Sequence, residues 1–199
     1  MGLDLDTVPG QTPLTEEERD GLLIPTIATR AELDEFEQQN IERAIRWTLA
    51  SRLGRNQILS ESFVKRLHQR MFGDVWAWAG RFRKSERNLG VNWLQIPTEV
   101  HKLNGDCNYW IDHKTYSPEE IAIRFKHGIV QIHCFPNGNG RHSRLMADLI
   151  MQKMFGLDPF SWGSKANLAT DATSRAAYIK AVKAADANKF EALIAFARK

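Results

Sequence analysis

Residues 117–150 read SPEEIAIRFKHGIVQIHCFPNGNGRHSRLMADLI, and no other stretch of the chain restricts the fold as much. The first four residues spell a helix start: Ser117 to cap, Pro118 in the first turn, and Glu120 three positions after the cap. Ile121, Phe125, Ile129 and Ile132 follow at helical spacing, which predicts a helix running to about His133 with this face inward. A second helix is predicted from near Gly140, with Leu145, Met146, Leu149 and Ile150 inward. The glycine-rich stretch HCFPNGNGRHSR thus lies between two helices, with GNG at the mouth of the second.

That placement has chemical consequences. Glycine admits positive φ, so successive N–H groups can turn toward one point. The first turn of the following helix adds N–H donors without intrahelical partners and the positive end of its dipole. Arg141 and Arg144, three residues apart, can share one face of that turn. Together these groups make a cradle for an anion such as a polyphosphate. His133 would stand across the loop as a base titrating near physiological pH. The spacing is neither GxxxxGK[ST] nor a GxGxxG following a strand. The competing reading is a tight helix–helix turn whose arginines pair with core carboxylates and whose histidine caps carbonyls.

The rest of the 199-residue chain suits one domain with an arm. Residues 1–29, with Pro9, Pro13 and Pro25, read as an extended arm in which EEERD forms a short helical turn. From Ala31 a helix is predicted with Leu33, Phe36, Ile41, Ala44, Ile45 and Leu49 on one stripe, ending before Gly54. Ser60 is a candidate cap for a helix burying Phe63, Val64, Leu67 and Met71. Residues 85–97, SERNLGVNWLQIP, combine Val91, Trp93 and Ile96 with Asn88 and Gly90, and predict a short hairpin closed by Pro97. Helices over 98–113, 171–185 and 188–198 complete a mainly α architecture with one small β-hairpin.

Charge is unevenly spread. Residues 1–42 hold eleven acidic and two basic residues, whereas the remainder holds 25 basic and 13 acidic ones. A basic body suits an anionic ligand, and the acidic region is positioned to touch it or to remain a solvated face. No run is long and apolar enough for a membrane span. The N-terminus lacks the pattern of a secretion signal. Cys107 and Cys134 suggest neither a disulfide framework nor a zinc ribbon. A cytoplasmic setting is expected. Tryptophans on a basic body also raise nucleic-acid binding, but Trp76, Trp78 and Trp110 lie in core-like segments. His113, His127, His133 and His142 lack the spacing of a metal hydrolase.

HCFPNGNGRHSR resembles the signature of the Fic/Doc family, written HPFx[DE]GNGRxxR. His133, Phe135, Gly138, Asn139, Gly140, Arg141 and Arg144 match position for position. RFRKSERNLGVNWLQIP resembles the family's hairpin flap, which places Leu89, Gly90, Val91, Asn92 and Trp93 as target-docking residues. The resemblance implies a Fic fold over roughly 58–196, preceded by an acidic arm and helix over 1–57. The wording PNGNGRHSRLMADL further resembles the subgroup named mobile mystery protein B. By resemblance, the chain would transfer AMP from ATP to a Ser, Thr or Tyr hydroxyl of a protein, and self-modification is among the outcomes this implies. His133 would take the hydroxyl proton and Phe135 would anchor the loop. Gly138, Asn139 and Gly140 would surround the α-phosphate, and Arg141 and Arg144 would hold the β- and γ-phosphates.

Two positions depart from the signature. Cys134 replaces a proline beside a residue expected to be buried. Asn137 stands where the family has the acid that binds Mg²⁺, and its neutral amide oxygen implies weaker affinity for Mg²⁺ or Mn²⁺. Three outcomes follow: an AMP transferase of altered metal need, a transferase with another phosphorylated donor, or a nucleotide-binding protein without catalysis. The inhibitory pattern [ST]xxxE[GN] is not matched, since Thr12–Glu16 and Thr115–Glu119 are each followed by Glu. Inhibition by the acidic N-terminal region or by a separate partner is compatible with the sequence.

Overall fold

A computed structural model describes residues 16–162 and 172–199; the segment holding Thr12 lies outside them. The short helix α1 (Glu16–Arg19) falls in the EEERD stretch. In α2 (Arg30–Ala50), Thr29 and Glu32 form a reciprocal cap: the Glu32 N–H donates to Thr29 Oγ1, and Glu32 Oε2 accepts from the Thr29 N–H. After α3 (Arg55–Ile58), Ser60 accepts from the Phe63 N–H and starts α4 (Glu61–Phe72), which buries Phe63, Val64, Leu67 and Met71 as expected. Then come α5 (Ile96–Asp112) and α6 (Pro118–Ile132), the latter capped by Ser117 through the Glu120 N–H. Helices α7 (Asn139–Phe155), α8 (Ala172–Asp186) and α9 (Glu191–Ala197) end the chain.

Helix α6 is central, packed against α5, α7 and α9, while α2 lies along α4. Phe125 and Ile129 of α6, Met146 and Ile150 of α7, Leu67 of α4 and Phe135 of the intervening loop share one core. The chain before α2 is held by a bridge: Leu22 pairs antiparallel with Trp76, through Leu23 N–H to Val75 O (2.8 Å) and Ala77 N–H to Gly21 O (2.8 Å).

Two expectations fail. Among the described residues there is no strand, so residues 85–97 form no hairpin. The Asn92 side chain accepts from the Leu94 N–H and opens a 3-10 turn over Trp93–Gln95. Pro97 then lies in the first turn of α5, where its missing N–H costs nothing, instead of closing a strand. The buried face of α2 also differs from the predicted stripe. It consists of Leu33, Glu37, Asn40, Ile41, Ala44 and Thr48, whereas Phe36, Ile45 and Leu49 are exposed. Of this polar side, Glu37 finds partners in Arg141 of α7 and in Trp76, whereas Asn40 and Thr48 bond within the helix, to Arg43 and to the Ile45 carbonyl.

Candidate active site

Helix α6 stops because His133 adopts a left-handed backbone (φ 55°, ψ 61°), a costly state for a side chain larger than glycine's. Its surroundings hold it there. Arg83, itself buried, donates from Nε to His133 O (2.7 Å), from Nη1 to Ser85 O (2.8 Å) and from Nη2 to Val91 O and Ile132 O. Its own N–H donates to Cys134 O at 2.9 Å. One guanidinium thus joins the end of α6 to the loop over residues 85–91. Gly90, with φ +99°, lies against this junction: a side-chain carbon there would sit 2.6 Å from His133 Cβ. Of the predicted docking residues, Leu89 is exposed, and Val91 and Trp93 pack partly against the core. The Val91 N–H donates to Ile132 O (3.4 Å), so neither backbone group of Val91 is spare for a docking chain.

Burial, with the Arg83 and Arg87 charges, pushes the His133 imidazole down to about 4. Burial thus favours the neutral imidazole, below the expected titration near physiological pH. The Cys134 thiol is buried and pushed far up by burial, so it behaves as an apolar filler.

The loop between α6 and α7 is fixed from within. Asn139 clamps Phe135, accepting from its N–H (2.9 Å) and donating to its C=O (2.7 Å). Phe135 is buried, as the resemblance implies, and stacks on His68 at 3.7 Å between ring centres. His68 Nδ1 accepts from the Gly80 N–H (3.0 Å), so its Nε2 carries the hydrogen and donates to Asn137 O (3.0 Å). Burial and the neighbouring His142 hold His68 well below the usual range, in keeping with this neutral tautomer.

Gly138 caps α7 at φ +77°, and an added side-chain carbon would lie 2.6 Å from the Phe72 ring. No side chain caps this helix, so Asn139, Gly140 and Arg141 keep first-turn N–H groups for a ligand, and Gly140 has open space beside it. The Gly138 N–H differs, for it donates to Asn137 Oδ1 at 2.6 Å. The same contact bears on a metal. Asn137 offers one neutral oxygen already accepting a hydrogen bond, and among the described residues no group of three or more His, Cys, Asp or Glu could hold an ion. The protein's own donors do not fit the anionic oxygen set that Mg²⁺ prefers.

The two arginines of the loop meet different neighbours. Arg141 donates from Nη1 to Oε2 of the buried Glu37, and its guanidinium lies 4.8 Å from the Phe72 ring centre. The rival reading, an arginine paired with a core carboxylate, thus applies to Arg141. Arg144 lies 5.9 Å from the Tyr178 ring centre. Lys126 Nζ, fully buried, sits 4.6 Å from the same ring and interacts with the Tyr178 phenol. Burial pushes the Tyr178 phenol up, but the Lys126 and Arg144 charges outweigh it and hold the phenol below its usual range.

Sequence reasoning found the loop and both arginines but missed Glu37, His68 and Arg83. Each works through a partner distant in sequence. Glu37 left a faint signal, being a carboxylate in register with Leu33 and Ile41.

Comparison with known proteins agrees with this geometry. Residues 58–151 match the model of the Fic/DOC family. A protein adenylyltransferase Fic from Aedes aegypti is 25% identical over 57% of this chain and 23% of its own length. A probable protein adenylyltransferase from Sinorhizobium fredii is 33% identical over 58% of this chain and 62% of its own. The chain therefore spans less than two thirds of these relatives. The N-terminal Fic domain of a VirB-translocated Bep effector protein from Bartonella quintana, solved with bound ADP, superimposes with a TM-score of 0.66 at 17% identity, covering 87% of this chain and 86% of that one. The loop that joins α6 to α7 lies inside the segment that matches the Fic/DOC family model, and the fold is that of the solved Fic domains.

Proposed function

We propose that the chain is a protein adenylyltransferase that moves AMP from ATP to a Ser, Thr or Tyr hydroxyl of a target protein. One observation carries the reading: His133 ends α6, with five residues between it and the start of α7, and no side chain caps the first-turn N–H groups of α7. His133 takes the proton of the attacking hydroxyl. A new bond forms between that oxygen and the α-phosphorus, the bond from phosphorus to the α,β-bridging oxygen breaks, and pyrophosphate leaves. The Asn139, Gly140 and Arg141 N–H groups face the α-phosphate, while Gly138 supplies the turn that aims them. Arg141 and Arg144 hold the β- and γ-phosphates, where charge collects on the leaving group.

The target's main chain meets the flap at Leu89 and Gly90, with exposed Leu89 and Leu94 as apolar contacts and Asn92 and Trp93 shaping the turn beyond. The curated relatives named adenylyltransferases support the transferase reading. We further place the chain in the mobile mystery protein B subgroup on its PNGNGRHSRLMADL wording, with self-modification and a separate inhibitor as further features of the reading. No helix among the described residues is long and apolar enough to cross a membrane, and a cytoplasmic site of action fits the reading.

The test is label transfer from ATP marked at the α- or the γ-phosphate, with Mg²⁺ or Mn²⁺ supplied, alongside His133→Ala. Transfer from the α position alone, lost in the variant, is the expected result. Transfer from the γ position would overturn it. The Asn137 contact favours a second reading, a nucleotide-binding protein with another donor or without catalysis. ATP binding with no transfer would select it. Under the first reading, Asn137→Asp raises Mg²⁺-dependent transfer by adding an anionic oxygen; an unchanged rate against Mg²⁺ would contradict this.

A further inference from the structure

We infer that Glu37 is a positioning residue: through its carboxylate it sets Arg141 in place for the terminal phosphates of a nucleoside triphosphate. The inference rests on the nucleotide site proposed above. Glu37 projects from α2, whose residues precede the segment that matches the family model. Its side chain is 3% exposed, and both its oxygens are used. Oε1 accepts from Trp76 Nε1 at 2.6 Å, and Oε2 accepts from Arg141 Nη1.

Only a carboxylate serves these two donors. An amide in its place would turn an N–H₂ group toward one of them. Trp76 is itself fixed by the antiparallel bridge to residues 21–23, so one end of the carboxylate is anchored before any ligand arrives. Arg141 is bracketed on its other side by Phe72, the same ring that closes over Gly138. A flexible four-bond side chain is thus held in one place, which removes an ordering cost from phosphate binding. The pair engages Nη1 and leaves the Nε and Nη2 donors for an anion. A buried carboxylate also strongly resists losing its cation, so the pairing persists in the unliganded protein. By contrast, Arg144 faces the Tyr178 phenol, and the carboxylate that feels its charge is Asp148, one turn further along α7.

The experiment is a double-mutant cycle on nucleotide binding, read by titration calorimetry with ATP and with AMP. Glu37→Gln is expected to weaken ATP binding about tenfold, with AMP affinity held, because AMP lacks the phosphates that Arg141 would meet. In an Arg141→Gln background the same Glu37→Gln change should cost nothing further. Trp76→Phe, which keeps the ring and removes the N–H, should give a smaller loss of the same kind, and it serves if Glu37→Gln does not fold. Unchanged or tighter ATP binding by Glu37→Gln would overturn the inference, as would an equal loss for AMP or a full loss in the Arg141→Gln background. Label transfer is followed in the same preparations. ATP binding without transfer overturns the adenylyltransferase reading and leaves the cycle to judge Glu37; absence of ATP binding by the wild type overturns both.

Discussion

Arg141 and Arg144 lie one helical turn apart on α7, yet their surroundings are opposite in kind. Arg141 faces α2 and α4, where a buried carboxylate neutralises it and an indole and a phenyl ring fix the geometry. Arg144 faces α8, where the Tyr178 phenol interacts with both it and a second, buried cation, Lys126. One arginine is held by a buried carboxylate; the other shares a phenol with a second cation and has Asp148 within reach of its charge. A triphosphate entering such a site meets a rigid donor at one step and a strong attraction at the next. Fixing geometry and supplying charge are separate tasks, and here they fall to separate residues.

Acid is the largest lever on this contrast. His68, His133 and His142 are buried on the Arg141 side, and burial is the leading cause that lowers each. A depressed imidazole favours the fold fully above its unfolded value near 6.5, and that contribution is lost as pH falls toward the folded value of about 4. His142 alone accounts for on the order of 3 kcal/mol by pH 4. Asp148, raised to about 6 chiefly by burial, works the other way, its share being lost as pH rises from 3.8 through about 6. Three imidazoles outweigh one carboxyl, so urea midpoints should fall steadily from pH 6.5 to pH 4. Over pH 5.5–7.5 the transfer rate should show no histidine step near 6.5; such a step would mean that His133 is more hydrated than its burial implies.

Next in size is truncation of each arginine. Arg141→Ala strands the Glu37 charge in the interior and should cost about 3 kcal/mol in denaturant unfolding. Arg144→Ala breaks no ion pair among the described residues, although Asp148 loses a nearby positive charge, so its cost should stay under about 1 kcal/mol. Equal losses would erase the distinction between the two sites. The smallest change is expected for Lys126→Met, which replaces a buried ammonium by an apolar chain of similar length and should stabilise by about 1 kcal/mol. In the same variant Tyr178, one of three tyrosines in the chain, should titrate at higher pH by ultraviolet absorbance. No upward movement would mean that Lys126 is not what holds the phenol down.

What could be read in the sequence was whatever is decided locally. Ser60 and Ser117 start their helices through bonds that reach three residues along the chain, so α4 and α6 were visible. The glycine-rich loop was visible because its backbone conformation selects residue types. Helix α2 was misread because polarity stands for exposure in any periodic count, and Glu37 is buried for the sake of Trp76 and Arg141, far along the chain. The hairpin was misread for a related reason. Val91 and Trp93 have strand-like character, but their segment meets its hydrogen-bonding needs through Arg83 and Ile132 instead of a facing strand. The departure at Asn137 was legible as an identity, though its bond to Gly138 was not.

Arg83 carries one more lesson. The acceptors its guanidinium engages on Ser85, Val91, Ile132 and His133 are all carbonyl oxygens. Main-chain carbonyls are present whatever the side chain, so this rivet does not depend on the identities of the residues it fastens. Leu89 and Leu94, the exposed apolar groups near it, stand outside the grip. A lineage could therefore rewrite these exposed positions, one leucine at a time, while the backbone at His133 keeps its place. Under the proposed function, the base and the docking surface are mechanically joined through Arg83 yet free to change independently in sequence.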